Sequence, residues 1–533
     1  MTQKTFNPLL VAFAAICGIL AGSIITERHN ERITRTHKKL DNKIDMMLNL
    51  VNLQYVDKVD IDSLVEQSIP KILEELDPHT VYVPAKDLQM VNDELEGSFS
   101  GIGVQFNIQN DTVMIVSVIS GGPSEKLGIL PGDRIVKVND TLFVGETINN
   151  EKVMHKLRGP KGTHVTLGIK RHSADSLLSF DITRGDVPVN SVDAHFMMGN
   201  HTGYVKVGKF GATTYGEFVH ALEELQGKGA SEFIVDLRGN SGGFLEAASY
   251  MINEFLHAGD MIVYTEGKAQ KRQDIRADGR GMFQQYPLAV LIDEWSASAS
   301  EIFAGAMQDN DRGTIIGRRS FGKGLVQQQI TLNDSSAIRL TVARYYTPSG
   351  RCIQKPYGDK NKYQQEVFDR YSSGEIYNQD SMKASNDTIK YYTVGKRVVY
   401  GGGGIMPDIF VPYDTTYNSS YYTKLVNSSI LYDFAFKYAD EHRQLFNSFG
   451  SYKKADEYLK REFLFDQVLD FAEAKNIKRN QSQAERSKKK ITQLVRSYIL
   501  RNIYGDNAFY EVFHEDDPVV REAMKALKRN PRN

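Results

Sequence analysis

Apolar residues recur as Leu40, Ile44, Met47 and Val51, the stripe of an amphipathic helix. A second helix is expected from near Asp62 to Leu76, stopped at Asp77-Pro78 because proline disfavours helical geometry in the residue before it. Beyond residue 97 the period shortens. Strand-like runs at Gly103–Ile108 and Val113–Val118 flank Asn110-Asp111, a hairpin signal. A short helix fits Ser124–Leu127, and the turn Pro131–Asp133 leads into a strand at Arg134–Val138. A helix fits Asn150–Leu157, with a last strand at Val165–Ile169. From about residue 186, strands at Gly203–Val207, Phe233–Leu237, Leu288–Ile292 and Ile338–Tyr346 alternate with helices. One helix opens at the capping box Thr214-x-x-Glu217, one spans Phe244–Leu256, and one runs to about Gln308. Such alternation predicts an α/β layer fold with its site at the strand ends. Residues 351–400 are polar and read as an insertion, Gly401–Pro412 rejoins ordered chain, and the remainder is helical and charged. Ile491, Leu494, Val495, Tyr498 and Ile499 form one apolar stripe there.

The expected fold class is multidomain α/β. A helical arm spans 30–96, a β-rich domain 97–185, an α/β layered core 186–415 with its polar insertion at about 351–400, and a helical region 416–533. Residues 1–29 stand apart: the run Phe6–Ile25 is uncharged and about long enough to span a bilayer as a helix. It reads as an uncleaved membrane anchor with the bulk of the chain exported; a removed signal peptide is the alternative. Arg28, Arg32, Arg35, Lys38 and Lys39 all follow the run, so loop charge does not support that orientation. A net charge of −1 over 533 residues gives no electrostatic case for nucleic acid, and Lys488–Lys490 reads as a solvated helix face. The two cysteines, Cys17 and Cys352, do not suggest a disulfide, and no Cys-x-x-Cys or His-x-x-x-His implies a metal.

The stretch "EWSASASEIFAGAMQDNDRGTIIGRRSFGKGLVQQQ" carries the candidate chemistry. Ser298-x-x-Glu301 satisfies the capping-box pattern, so Ser298 could simply cap a helix. Capping does not explain why small residues surround it on both sides. A helix N-terminus also offers free amides and a positive dipole end to a developing oxyanion. A serine nucleophile needs a base. None of the twelve histidines falls between Ala258 and Gln329, and the local alternative is Lys323 in "SFGKG". A lysine serves as a base only when burial keeps it neutral. On the residues alone, an exposed lysine on a glycine turn is the simpler account, and Ser296, Ser298 and Ser300 cannot be told apart.

The wording "GIGV", "GILPGD" and "VND" within 97–185 resembles a bacterial-type PDZ domain. Such domains take an extended C-terminal peptide by strand addition. The resemblance implies that Gly101, Ile102, Gly103 and Val104 supply carboxylate-binding amides, and that Val153 and Leu157, one helical turn apart, line the groove. "LDPHT", "GSFSGIGV", "GNSGG", "SASASEIFAGAMQD", "SFGKGLVQQ" and "YYTPSGRCIQ…GIMPDIFVP" follow in that order. Together they resemble the carboxyl-terminal processing, or tail-specific, protease family over roughly residues 40–415. The resemblance implies a serine endopeptidase with a Ser/Lys dyad: Ser298 as nucleophile, Lys323 as base and Gln327, one helical turn beyond it, as support. Amides of Ala299 and Gly243 would form the oxyanion hole. No cofactor or metal is implied. The expected partners are protein substrates with apolar C-termini, with room for an activating or adaptor protein and for an oligomer. The expected location is the inner membrane with a periplasmic catalytic part, or the periplasm after signal cleavage. A catalytically inactive PDZ scaffold is the alternative function. A Ser-His-Asp esterase is disfavoured because none of the clustered serines Ser296, Ser298 and Ser300 sits in a Gly-x-Ser-x-Gly elbow.

Overall fold

A computed structural model describes residues 43–109, 111–379 and 389–529. The Phe6–Ile25 run and Asn110 of the hairpin signal lie outside the described residues. Among the described residues no helix is long and apolar enough to cross a membrane. The chain divides into two units, Met1–Leu76 and Asp77–Asn533. The first contains a helix over 43–54 and the helix Ile61–Glu74, whose N-cap Asp60 accepts from the Ser63 N–H. Ile44 and Met47 of its apolar stripe are 49% and 53% exposed.

Within the second unit the central sheet has six strands, in the order Val192–Met198, Thr202–Val207, Glu232–Asp236, Leu288–Ile292, Thr314–Gly317 and Ile409–Phe410. The first pair is antiparallel and the rest are parallel. Each parallel strand lies beside its predecessor. Right-handed crossovers therefore drop the helices Thr214–Gly227, Leu245–Asn253 and Ala299–Asp309 onto one face. There Leu222, Met251 and Phe303 pack with Val205, Val235 and Val290. The strand residues of opposite parity, Tyr204, Ile234, Ala289, Leu291 and Ile316, point the other way. They are covered by Val519, Val520, Ala523 and Leu527 of the helix Pro518–Arg529. The helix Pro518–Arg529 thus forms the core's second layer. Double cover is why every residue of Leu288–Ile292 is buried. A polar seam fixes that helix in register: Tyr204 O–H donates to Asp236 at 2.7 Å, and Arg238, held by Asp236, donates to Asp517 at 2.7 Å.

The expected helix Asn150–Leu157 and strand Arg134–Val138 are present in the β-rich domain. Its sheet runs Val104–Gln109, Thr112–Val118, Arg134–Val138, His164–Lys170 and Leu178–Thr183, so Val104–Gln109 is an edge. The last strand, which the sequence pattern did not suggest, follows the polar turn over residues 171–177. A further sheet orders Val81–Val83, Ala337–Tyr346, Met261–Glu266 and Gln273–Arg276, with Leu325–Thr331 also paired to the long strand. The helices Ser420–Asn427 to Gln481–Tyr504 build their own core around Leu425, Phe434, Leu464, Val495 and Ile499. Lys488 and Lys489 are exposed, whereas Lys490 turns in over the Phe513 ring at 4.7 Å.

Residues 351–400 carry the helix Lys360–Ser372, and four of their charged residues, Arg351, Lys355, Arg370 and Glu375, are buried. Arg370 is 2% exposed at its side chain and donates to the carbonyls of Arg319 at 3.0 Å and Ser320 at 2.9 Å. Arg319 in turn pairs with Glu366 at 3.1 Å and Glu375. The segment's polar composition reflects a buried ion network that grips the turn before Lys323.

Candidate active site

Ser298, Lys323, Gln327 and Gly243 line one cleft of 420 Å³, together with Asn92, Phe244 and Tyr345. The serine cluster sits at the C-terminal end of Leu288–Ile292, beside the "RGNSGG" loop that ends Glu232–Asp236. Its three hydroxyls have different fates. Ser296 is fully buried and donates to the Leu237 carbonyl at 2.9 Å. Ser300 is fully buried and donates to the Asn240 carbonyl at 2.9 Å. Both are rivets between the two loops. Ser298 alone faces the cleft.

Ser298 has φ +55° and ψ −113°, a conformation that costs a residue bearing Cβ about 1–3 kcal/mol. Two buried side chains hold it there, and each also holds Lys323. The Glu301 carboxylate accepts the N–H of Ser298 at 2.9 Å, of Gly322 at 2.7 Å and of Lys323 at 2.8 Å. It also accepts the Ser320 hydroxyl. The Tyr345 hydroxyl donates to the Lys323 carbonyl at 2.6 Å and reaches the Ser298 carbonyl at 3.2 Å. One residue therefore takes both N–H groups and the other addresses both carbonyls. The capping box expected at Ser298-x-x-Glu301 is present, and its glutamate also reaches across to the lysine turn.

Burial depresses the Lys323 amine below the usual lysine range, against the pull of the Glu301 and Asp77 carboxylates. Among the described residues its Nζ has no hydrogen bond and no ion pair. Burial raises the Glu301 carboxyl to about 7, opposed by the hydroxyl and N–H groups it accepts. Gln327 was expected one helical turn beyond the lysine. It lies instead on the strand Leu325–Thr331, next to a bulge between Val326 and Gln327. It still reaches the cleft because the bulge re-aims the strand. Its amide donates to Thr341 Oγ1 at 3.2 Å, and Thr341 donates to Asp77 at 3.2 Å. That chain gives "LDPHT" a place: Asp77 also accepts the His79 N–H, the Thr80 N–H and the Thr80 hydroxyl.

His79 is a site neighbour that no local pattern disclosed. Burial and the Lys323 charge push it down to about 4, and its Nε2 lies 2.6 Å from the Tyr363 hydroxyl. Gly242 and Gly243 differ in use. The Gly242 N–H donates to Asn240 Oδ1 at 2.8 Å. The N–H groups of Gly243 and Ala299 have no acceptor among the described residues. A Cβ on Gly243 would lie 2.1 Å from the Phe210 carbonyl oxygen, so no side chain fits there.

In the β-rich domain, Ile102, Gly103, Val104 and Leu157 line a cavity of 1090 Å³. Gly101 is instead paired with Gly185 in a short ladder. Val153 is 0% exposed in the domain core and is absent from the cavity lining; Met154 stands there beside Leu157. The helix is rotated by about one residue from the expected phase, turning Val153 onto the sheet.

Residues 201–360 match Peptidase family S41, residues 100–182 a PDZ domain, and residues 421–505 a "Family of unknown function (DUF8443)". A "Carboxy-terminal-processing protease" of Bartonella bacilliformis is 38% identical over 343 residues, 63% of this chain and 76% of that one. "Carboxy-terminal processing protease CtpB" of Bacillus subtilis is 32% identical over 362 residues, 67% of this chain and 74% of that one. A solved structure of a photosystem II D1 C-terminal processing protease aligns over 71% of this chain and 89% of its own, with 25% identity and a TM-score of 0.37. With the first two relatives matched at that identity over about three quarters of their lengths, the chain belongs to the carboxy-terminal processing proteases, PDZ-containing serine peptidases of family S41.

Proposed function

We propose that the protein is an endopeptidase that captures the apolar C-terminal tail of a protein in its PDZ domain and cleaves with Ser298 as nucleophile and Lys323 as general base. The observation that carries this reading is the double clamp of Glu301 and Tyr345. It fixes a strained, cleft-facing serine against a buried amine without an ion partner. Lys323 Nζ takes the proton from Ser298 Oγ as Oγ bonds to the scissile carbonyl carbon. The carbonyl electrons move to oxygen, where the N–H groups of Ala299 and Gly243 meet the charge. Collapse breaks the C–N bond, and the lysine returns its proton to the leaving amine. Water then hydrolyses the ester, with Lys323 again as base. Gln327, oriented through its amide by Thr341, keeps a carbonyl oxygen for the lysine amine.

His79 offers a competing base because its charge couples to Lys323. Its Nε2 engages Tyr363, which favours the lysine. The test is turnover of a denatured protein with an apolar tail by Ser298→Ala, Lys323→Ala and His79→Gln. Loss of about 10³-fold or more in the first two, with His79→Gln retaining most activity, supports the dyad. A dead His79→Gln beside an active Lys323→Ala overturns it.

In the PDZ domain the α-carboxylate of the tail meets the amides of Ile102, Gly103 and Val104, and Leu157 and Met154 contact its last apolar side chain. The reading keeps the chain exported and held at the inner membrane by Phe6–Ile25. Fractionation with N-terminal sequencing tests this, and a soluble protein starting near residue 25 contradicts it.

A further inference from the structure

The cavity beside the PDZ domain has a wall that the PDZ fold does not supply. One side is the edge strand Val104–Gln109 with Met154 and Leu157. Another comes from the core at Asp193 and Lys209. The third comes from the C-terminal helical region, through Arg443, Asn502 and Tyr504. This wall is held on both flanks. Asp433 pairs with Arg134 of the PDZ domain at 3.7 Å, and Glu441 with His172 at 3.3 Å. On the core side, Asn507 accepts the His195 N–H at 2.8 Å.

Two side chains in this wall carry buried polar atoms that make no hydrogen bond among the described residues. Asn502, near the end of the helix Gln481–Tyr504, is 7% exposed, and neither its Nδ2 nor its Oδ1 is hydrogen-bonded among the described residues. Nε and Nη2 of Arg443 are likewise buried without a hydrogen bond, the Asp440 carboxylate standing off at 3.7 Å from Nε. A buried polar atom left alone is costly, and native structures fill most such vacancies. An asparagine amide offers one donor group and one acceptor, which matches the N–H and C=O of an extended peptide. Facing it, Val104–Gln109 has a free edge that pairs with such a peptide by strand addition. The guanidinium complements the carboxylate end of that peptide.

We propose that the C-terminal helical region is the third wall of the tail-binding groove. In it Asn502 pairs with the backbone of a substrate's extended C-terminal tail, and Arg443 draws in the tail's carboxylate. This gives the region a part in choosing substrates: it excludes tails that cannot stay extended between two walls. The inference rests on tail capture by the PDZ domain, as proposed above.

The test uses the full chain carrying Ser298→Ala, so that bound peptide survives. A fluorescent peptide with an apolar, free C-terminus is compared with its amidated form by anisotropy. The acid should bind more tightly than the amide, and Gly103→Val, which distorts the carboxylate loop, should weaken it. Asn502→Leu should weaken the acid peptide about tenfold, about 1.4 kcal/mol, with the melting temperature unchanged or raised because an orphaned amide is removed. Arg443→Met should weaken it similarly and flatten the salt dependence. If Gly103→Val fails to bind while Asn502→Leu and Arg443→Met bind like the parent, the third wall is wrong and PDZ capture stands. If acid and amide bind equally and Gly103→Val is normal, PDZ capture itself fails and takes this inference with it.

Discussion

Glu301→Gln tests the clamp with a change of one atom. The carboxylate is fully buried and receives four donors and no acceptor. Oε2 takes the Ser298 and Lys323 N–H groups, and Oε1 takes Gly322 and Ser320. An NH₂ in place of either oxygen points a donor at two donors. The Ser320 hydroxyl could rotate to accept, but the Gly322 N–H could not, so at least one buried N–H is orphaned at about 1–3 kcal/mol. The remaining bonds lose a charged acceptor, about 1 kcal/mol each, for a total of about 3–5 kcal/mol. Part is recovered as Ser298 relaxes from its strained φ, and that relaxation is what removes activity. The expected result is a melting point lower by about 4–8 °C, for about 2 kcal/mol net. kcat should fall about 10²–10³-fold, with KM nearly unchanged because tail capture resides in the PDZ domain. The assay is steady-state cleavage of a tail-bearing fluorogenic peptide beside thermal unfolding. A folded Glu301→Gln enzyme with kcat within threefold of the parent refutes the clamp. The variant has a pH signature as well. The Glu301 carboxyl is raised from 4.5 to about 7 in the fold, so its contribution to stability is full below about pH 4.5 and is lost as pH rises through 7. That decline should be absent from Glu301→Gln.

Four further outcomes follow from the same geometry. Ser298→Gly should be inactive yet about 1 kcal/mol more stable than Ser298→Ala, because glycine accepts φ +55° without strain; equal denaturant midpoints would contradict this. Lys323→Met should be inactive and melt higher than the parent at pH 7. Burial depresses the amine, so a protonated lysine there costs folding free energy that methionine does not; a lower melting point would count against a depressed amine. Arg370→Ala should destabilise by about 3–5 kcal/mol, since it takes one cation from Glu366 and leaves the buried carbonyls of Arg319 and Ser320 without their donor; a surface-like loss under 0.5 kcal/mol would contradict the role of this ion network. Val520→Asp should prevent folding of the protease core, because Val520 is 4% exposed against the second face of the central sheet; a soluble, active variant would show that face needs no cover.

The parts of the fold legible in the sequence were those whose burial is local. Leu288–Ile292 is a plain apolar run, and the stripe Ile491, Val495 and Ile499 keeps one helical face. What stayed hidden depends on partners far along the chain. Ser296 and Ser300 differ from Ser298 only because Leu237 and Asn240 of another loop take their hydroxyls. Lys323 reads as an exposed lysine until Glu301, Tyr345 and Arg370 close around its turn. The spacing from Lys323 to Gln327 fits a helical turn, but the segment pairs with Ala337–Tyr346 and is a strand. Val153 and Met154 differ by one residue of helix phase, which a sparse apolar pattern does not fix. His79 had no local sign beyond its place in "LDPHT", and the resemblance gave that motif no role.

The dyad is tested most directly by the turnover of Lys323→Arg on a denatured protein with an apolar tail, measured across pH 6–10. Arginine keeps the positive charge in the cleft and does not lose its proton in that range. The parent's kcat/KM should rise with pH through the depressed amine and then level off. Lys323→Arg should be as inactive as Lys323→Ala at every pH. Near-normal turnover by Lys323→Arg, with the same rise in pH, would mean that the lysine serves only as a charge and that another group deprotonates Ser298.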